Sequence, residues 1–428
     1  MEPSFIHAAN RFGLGARPGP HPEGDPRAWL LAQIGTLPAA PGPSLTEIRD
    51  AMALRRMDRT SDALTLLERR ENIAWGERML ASDSPFAERW VAFWANHLTV
   101  SRRSPARNWT GHYQREAIRP LAFGRFEALL LGAYRHPAML NYLDQARSIG
   151  PGSPAGRRRR SGLNENLARE CLELHTITPA AGYTQQDVTA LSAILTGWSM
   201  GRGGTSDEAE GFLFRTGGHE PGTKSMLGRE FSEGEAGGVQ ALAFLANHPA
   251  TWAALARKLA LHFIADAPSA AAVARIEASL RNTGGDLSAA ARALVASPEA
   301  WTPLGKIRSG QDYAVAVLRG LGAGADSAPL LVAALSRFNQ PLWNAPAPTG
   351  WSDLSTEWAA PEQLMRRLDW AGVMAERAAR AGRTEPVTLA KTMLGPLARA
   401  ETVNAARRAG SVQEALLLLL ASPEAQRR

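Results

Sequence analysis

The sequence predicts a mainly α protein, a multi-helical bundle-like globular chain with a small β-hairpin-like insertion near 211–230. Three observations predict it. Apolar residues recur at spacings of three and four along most of the chain, Pro and Gly punctuate those stretches, and FLFR at 212–215 is the best run of strand formers. A composition of 45% hydrophobic and 21% charged residues over 428 positions can fill a large core. No repeat or composition shift cuts the chain, so 1–428 reads as one helical unit.

From Asp25 to about Val100 the pattern is amphipathic, and Phe86, Trp90, Trp94 and His97 or Leu98 fall on one helix face. Helices follow at about 110–119 and 125–145, the second interrupted at His136-Pro137, where Pro opens a new first turn. Residues 148–163 combine Gly, Pro, Ser and the run Arg157 to Arg160, and predict an exposed Arg-rich loop. Asn164 predicts an N-cap for a helix ending by Thr178-Pro179, and a second helix starts near Thr184. Residues 200–238 read as loop and short extended pieces with a Pro-Gly turn. Helices resume at about 239–264, 269–281, 286–297 and 307–320, with His248-Pro249 near another start. The 338–360 segment is Pro- and Trp-rich and irregular, and helices close the chain from about 361.

Several function classes are excluded or disfavoured. Lys+Arg of 48 against Asp+Glu of 41 gives +7, but only four of the bases are Lys, a skew typical of a GC-rich genome rather than of a nucleic-acid surface. The Arg157–Arg160 run lacks an aromatic platform, so nucleic acid is not an expected partner. No apolar run nears the roughly 20 residues that span a bilayer, and the N-terminus lacks a secretory signal, which predicts a cytoplasmic protein without a membrane span. The single Cys171 excludes an internal disulfide and reads as a buried small hydrophobe. Gly197-Trp-Ser-Met-Gly201 matches a nucleophile elbow in letters, but a helical pattern precedes Ser199 where that turn needs a strand.

The densest polar segment is NENLARECLELHTITPAAGYTQQDV at 164–188. Helical spacing puts Glu165, Arg169 and Glu173 in one row, which suits a surface ion-pair ladder. Asn166, Glu170 and Glu173 share the adjoining face, and two carboxylates one turn apart suit a divalent cation or a general acid/base pair. His175 joins that face only if the helix loosens before Pro179. The catalytic candidates are therefore Glu170, Glu173 and His175, joined by His219 and Lys224 from the turn HEPGTK, with Glu170 and Glu173 as metal ligands. The ligand-binding candidates are Asn164, Asn166, Arg169, Tyr183, Asp187 and His97, the last more simply a partly buried, locally satisfied histidine.

The string NENLARECLELHT followed by GYTQQDVTALSAILTGW resembles the hallmark of the bacterial domain-of-unknown-function 1800 family. AANRFGLGARPG, FWANHLTV, FLFRTGGHEPGTKSMLG, LANHPATWAALARKLALHFIAD and PAPTGWSD extend the likeness along nearly the whole chain. Cys171 and Thr178 depart from it, standing where an aliphatic residue and Gly are usual. The resemblance implies no reaction. It does imply a partner, because such proteins are often encoded beside a sulfatase-like protein of the domain-of-unknown-function 1501 family that carries an export signal. The expected function is thus a helical accessory or binding protein acting with that partner, with export in its company. The alternative is a hydrolase-like enzyme using the Glu/Asn/His cluster.

Overall fold

The two His-Pro pairs show how the sequence punctuates its helices. His136 and His248 are N-caps, each ring Nδ1 accepting from the backbone N–H two residues on (Ala138 at 3.1 Å, Ala250 at 3.2 Å), and Pro137 and Pro249 fill the first helical position where no N–H is needed. The structure, a computed structural model, describes residues 4–20, 22–159, 162–201, 211–382 and 384–428. Helices dominate these residues, and no helix among them is long and apolar enough to cross a membrane. Five helices position the candidate sites: α1 (Pro85–His97), α2 (Asn166–Glu170), α3 (Gln185–Leu195), α4 (Pro249–Phe263) and α5 (Gly310–Gly320).

Two apolar cores organise the chain. The predicted face of α1 supplies the first, with Phe86, Trp90, Trp94 and Leu98 fully buried and Trp90 stacked on Phe123 at 5.8 Å. Each such aromatic hides roughly 150–250 Å² at about 25 cal/mol per Å², several kcal/mol apiece. Around it pack Phe126–Arg135, the residues following Asn166, α3, α4 and the helices Ala270–Thr283 and Leu287–Ala296. The second core joins Trp75 and Met79 to α5 and the closing helices through Tyr313, Phe338, Trp370 and Leu416.

Extended chain is confined, among the described residues, to two antiparallel ribbons. FLFR does not fold onto the next extended piece. Phe212–Phe214 (β2) pairs back with Trp198–Met200 (β1), Trp198 opposite Phe214, while Lys224–Met226 (β3) and Arg229–Phe231 (β4) make the hairpin. Leu227 and Gly228, both at positive φ, give that hairpin the turn twist that its strands require. The 148–163 segment, expected as a loop, holds a short helix, Pro154–Arg159, because Ser153 accepts from the Gly156 N–H at 3.0 Å. Arg160 of the arginine run and residues 202–210 of the expected Gly-rich loop lie outside the described residues. The 338–360 segment is irregular up to the single helical turn Ser355–Trp358.

Candidate functional site

The polar segment at 164–188 is first of all local wiring. Asn164 Oδ1 accepts from the Asn166 N–H at 3.0 Å and starts α2. Arg169 pairs with Glu165 at 3.1 Å, and Gln185 and Thr189 of α3 both donate to the same Glu165 carboxylate, which staples α3 to α2. Thr184 and Asp187 form a capping box at the start of α3, and Asp187 Oδ1 also accepts from the Leu227 N–H at 2.7 Å, holding the β3–β4 turn.

Beyond Glu170 the helix widens into a π-helix, Cys171–His175. This loosening turns His175 inward, fully buried, rather than onto the Glu170 and Glu173 face. Tyr134 Oη meets its Nδ1 at 2.8 Å, and its Nε2 has no protein partner. The widened turn frees the Leu174 and His175 carbonyls, which two distant side chains then cap. The Lys258 ammonium of α4 donates to the Leu174 carbonyl at 2.9 Å and to His97 Nδ1 at 3.3 Å. His97 Nε2 donates to the His175 carbonyl at 3.2 Å, so His97 is a neutral, locally satisfied ring. Burial, then Lys258 and His175, hold His97 well below its ordinary value. Burial likewise pushes the Cys171 thiol up to about 12, the state of a packing residue rather than a nucleophile.

Glu170 and Glu173 remain on the outer, half-buried side. Burial, then the Glu173 carboxylate, raises the Glu170 carboxyl. Burial, then the Glu173 carboxylate, raises the Tyr183 phenol, and burial, then the Glu170 carboxylate, raises that of Tyr142 to about 12. Asn166 is exposed nearby. Among the described residues no group of three or more His, Cys, Asp or Glu is placed to hold a metal ion. His219 and Lys224 make a separate cluster. His219 Nδ1 donates to the Thr196 carbonyl at 2.7 Å and its Nε2 accepts from the Gly234 N–H at 2.9 Å, while Lys224 donates to that nitrogen and to the Glu220 carbonyl. Both histidine nitrogens are committed to holding the turn. Ser199 is buried inside β1 and follows α3, so the strand–serine–helix order of a nucleophile elbow is absent.

Thr178 follows the π-helix at φ 62°, ψ 163°, a conformation glycine adopts freely and threonine does not. The glycine that the resemblance implies at this position would carry no such strain. Thr178→Gly is expected to stabilise the protein by about 1 kcal/mol, relief of about 1–3 kcal/mol of strain exceeding up to about 1 kcal/mol of added chain entropy. A thermal midpoint lower than that of the parent would contradict it.

The residues that line a cavity of about 120 Å³ come from elsewhere. It sits where α1, α4 and α5 meet the irregular segment, between the two cores, and none of the candidates from 164–188 lines it. Asn96 of α1 fixes Trp351 by a reciprocal pair, Nδ2 to the Trp351 carbonyl at 2.9 Å and Oδ1 from its N–H at 2.7 Å. Gly350 makes that approach possible: at φ 78°, a Cβ there would sit 2.6 Å from the Asn96 carbonyl. Four tryptophans, Trp75, Trp343, Trp351 and Trp358, are among its lining residues. His262 of α4, which also lines it, donates from Nδ1 to Asp353 Oδ1 at 2.5 Å, leaving Nε2 without a protein partner. Arg89 of α1 reaches Asp312 of α5 at 2.6 Å and the Gly13 carbonyl at 2.8 Å, with its Nε unpartnered. Arg428 also approaches Asp312, at 3.4 Å, because residues 426–428 bridge to Lys306–Arg308. Burial opposes charge on Asp353, but His262, Lys306 and Arg428 keep its carboxyl below the usual range. Burial keeps the His262 imidazole below its own, against the pull of Asp353.

These residues were missed in the sequence because they come from separate stretches. Their one local signal is polar residues inside apolar helices: Lys258 and His262 one turn apart in α4, and Glu88-Arg89 in aromatic α1. Of the resembling segments, FWANHLTV, LALHFIAD and PAPTGWSD bring Asn96, His262 and Asp353 to the cavity. A family model described as "Protein of unknown function (DUF1800)" matches residues 7–427. No curated protein and no solved structure matches the chain.

Proposed function

This chain belongs to the DUF1800 family, whose description assigns no activity, and from that premise we propose that it is a helical binding protein. It holds a small hydroxylated molecule in the cavity between α1, α4, α5 and the irregular segment, and serves as accessory to the sulfatase-like partner that the family resemblance implies. The observation that carries the ligand reading is the lining. Trp343 and Trp351 line it together with the amide side chains of Gln311 and Gln340 and the Thr99 hydroxyl. Arg89 and Arg428 share the Asp312 carboxylate, and Asp353 accepts from the neutral His262 ring, so an uncharged ligand is favoured over an ion. Flat apolar faces with amide donors and acceptors suit a polyol or a single sugar ring.

One titration series tests both parts. Tryptophan fluorescence of the purified chain is followed against glycerol, glucose, galactose, mannose and N-acetylglucosamine, then repeated with the sulfatase-like protein present. A saturable change at millimolar ligand or below is expected, lost in Trp351→Ala, together with an added saturable change at micromolar partner. No saturable response to any of the five compounds would defeat the ligand reading. No response to the partner would defeat the accessory reading.

The second reading, acid/base chemistry at Glu170 and Glu173, is favoured by the raised Glu170 carboxyl. Its half-buried face lies outside the cavity, so it ranks below the first.

A further inference from the structure

We propose that the cavity is also a hydrolytic centre, in which His262, oriented by Asp353, is the general base that activates water against an acyl ester. The inference rests on the reading of the cavity as a ligand site and adds chemistry to it.

Three features carry it. The Asp353 carboxylate accepts from His262 Nδ1 at 2.5 Å, which fixes the proton on that nitrogen and leaves the Nε2 lone pair as the basic site. Nε2 has no protein partner, unlike both nitrogens of His219 and His97, so its acceptor capacity is unspent. Arg89, 3% exposed and lining the same cavity, has an unpartnered Nε–H, a donor suited to a developing oxyanion. A buried acceptor and a buried donor without protein partners, on two residues that line one cavity, call for a ligand that satisfies both. Asp353 is itself held in place, since Lys306 donates to its backbone carbonyl and Trp351, two residues before, is clamped by Asn96. Burial keeps the imidazole neutral near pH 7, the form a base needs.

In the step, His262 Nε2 takes a proton from water as the water oxygen bonds to the acyl carbon. The carbonyl electron pair moves onto its oxygen, where Arg89 donates. Collapse reforms the carbonyl and breaks the ester C–O bond, and the proton on His262 passes to the departing oxygen. Ester plus water gives acid plus alcohol, with no oxidant, reductant or cofactor.

The probe is p-nitrophenyl acetate, assayed with the full chain. The wild type is expected to release nitrophenolate faster than buffer, His262→Gln to lose about 100-fold of that excess rate, and His248→Asn, which keeps an N-cap outside the cavity, to retain it. Asp353→Asn should lose at least about 10-fold while the fluorescence response to sugars persists. No excess rate in the wild type, or an undiminished rate in His262→Gln, overturns the proposal. If that variant does not fold, imidazole ¹⁵N spectra of the wild type at pH 7 decide: a proton on Nδ1 of His262 supports it, and one on Nε2 overturns it. A persisting sugar response without hydrolysis would end this inference alone. A missing sugar response would end the reading beneath it.

Discussion

Replacing Asp312 by alanine is expected to cost about 3–5 kcal/mol, a large part of the roughly 5–15 kcal/mol that holds an ordinary protein folded. Asp312 lies in the first turn of α5, where its N–H is capped by Ser309 at 3.1 Å. Its carboxylate faces Arg89 at 2.6 Å and Arg428 at 3.4 Å, side chains 3% and 4% exposed. Arg308 at 2% and Arg11 and Arg367 at 0% add to the buried guanidinium charge. Removing the carboxylate leaves that buried charge without its nearest counterion. Burial works against the ionised form of Asp312, but Arg89 and Arg428 outweigh it and depress its carboxyl far below the usual range. The unfolded chain titrates near the ordinary value of about 3.9. Because the folded value is the lower one, the contribution is present above about pH 4 and is lost as the pH falls toward the folded value. Chemical denaturation at pH 7 should therefore show the loss, and the variant should lack that part of the wild-type decline below pH 4. A loss under about 1 kcal/mol would show that the arginines are compensated elsewhere.

The fold was legible wherever a local rule decided it. His136-Pro137 and His248-Pro249 start helices because ring nitrogen and ring carbon satisfy or remove N–H groups within two residues. The aromatic face of α1 was equally legible, because a 3.6-residue period needs no partner to be recognised. The partner of FLFR was not, since the pattern leading to Ser199 is helical and only tertiary packing makes Trp198–Met200 a strand that pairs with it. For the site, local density of polar residues marked 164–188, none of which lines the cavity. Glu165, Arg169, Thr184 and Asp187 are polar because short helices need caps and staples. The cavity residues meet across long stretches of chain, His262 and Asp353 over 91 positions and Arg89 and Asp312 over 223, so no motif could hold them together. The inward turn of His175 depends on capping from Lys258, 84 positions from Leu174, and periodicity along one helix cannot report that.

That same capping gives the second large effect, a stability that rises with pH. Burial pulls the Lys258 ammonium from 10.5 to about 8, with Asp353 partly opposing it. His97, His175 and Asp353 are the other titratable groups around it. Between those two values the unfolded chain binds a proton at this lysine that the folded chain does not, so folding gains stability as the pH climbs from about 8 toward 10.5. A shift of this size corresponds to about 3 kcal/mol over the window. Lys258→Met keeps the apolar stem and removes the titration. At pH 7 two effects oppose each other in the variant: a buried charge is no longer desolvated, and the Leu174 carbonyl loses its donor, so the net change should be small. Near pH 10 the wild type should exceed the variant by about 3 kcal/mol more than it does at pH 7. Subtracting the two proteins removes the tyrosines, whose raised values act in both. Urea denaturation of the pair at pH 7, 8.5 and 10 measures the difference. Parallel curves across that range would mean that Lys258 titrates as in solvent, and that the widened helix end is capped by a fully hydrated ammonium instead of a buried one.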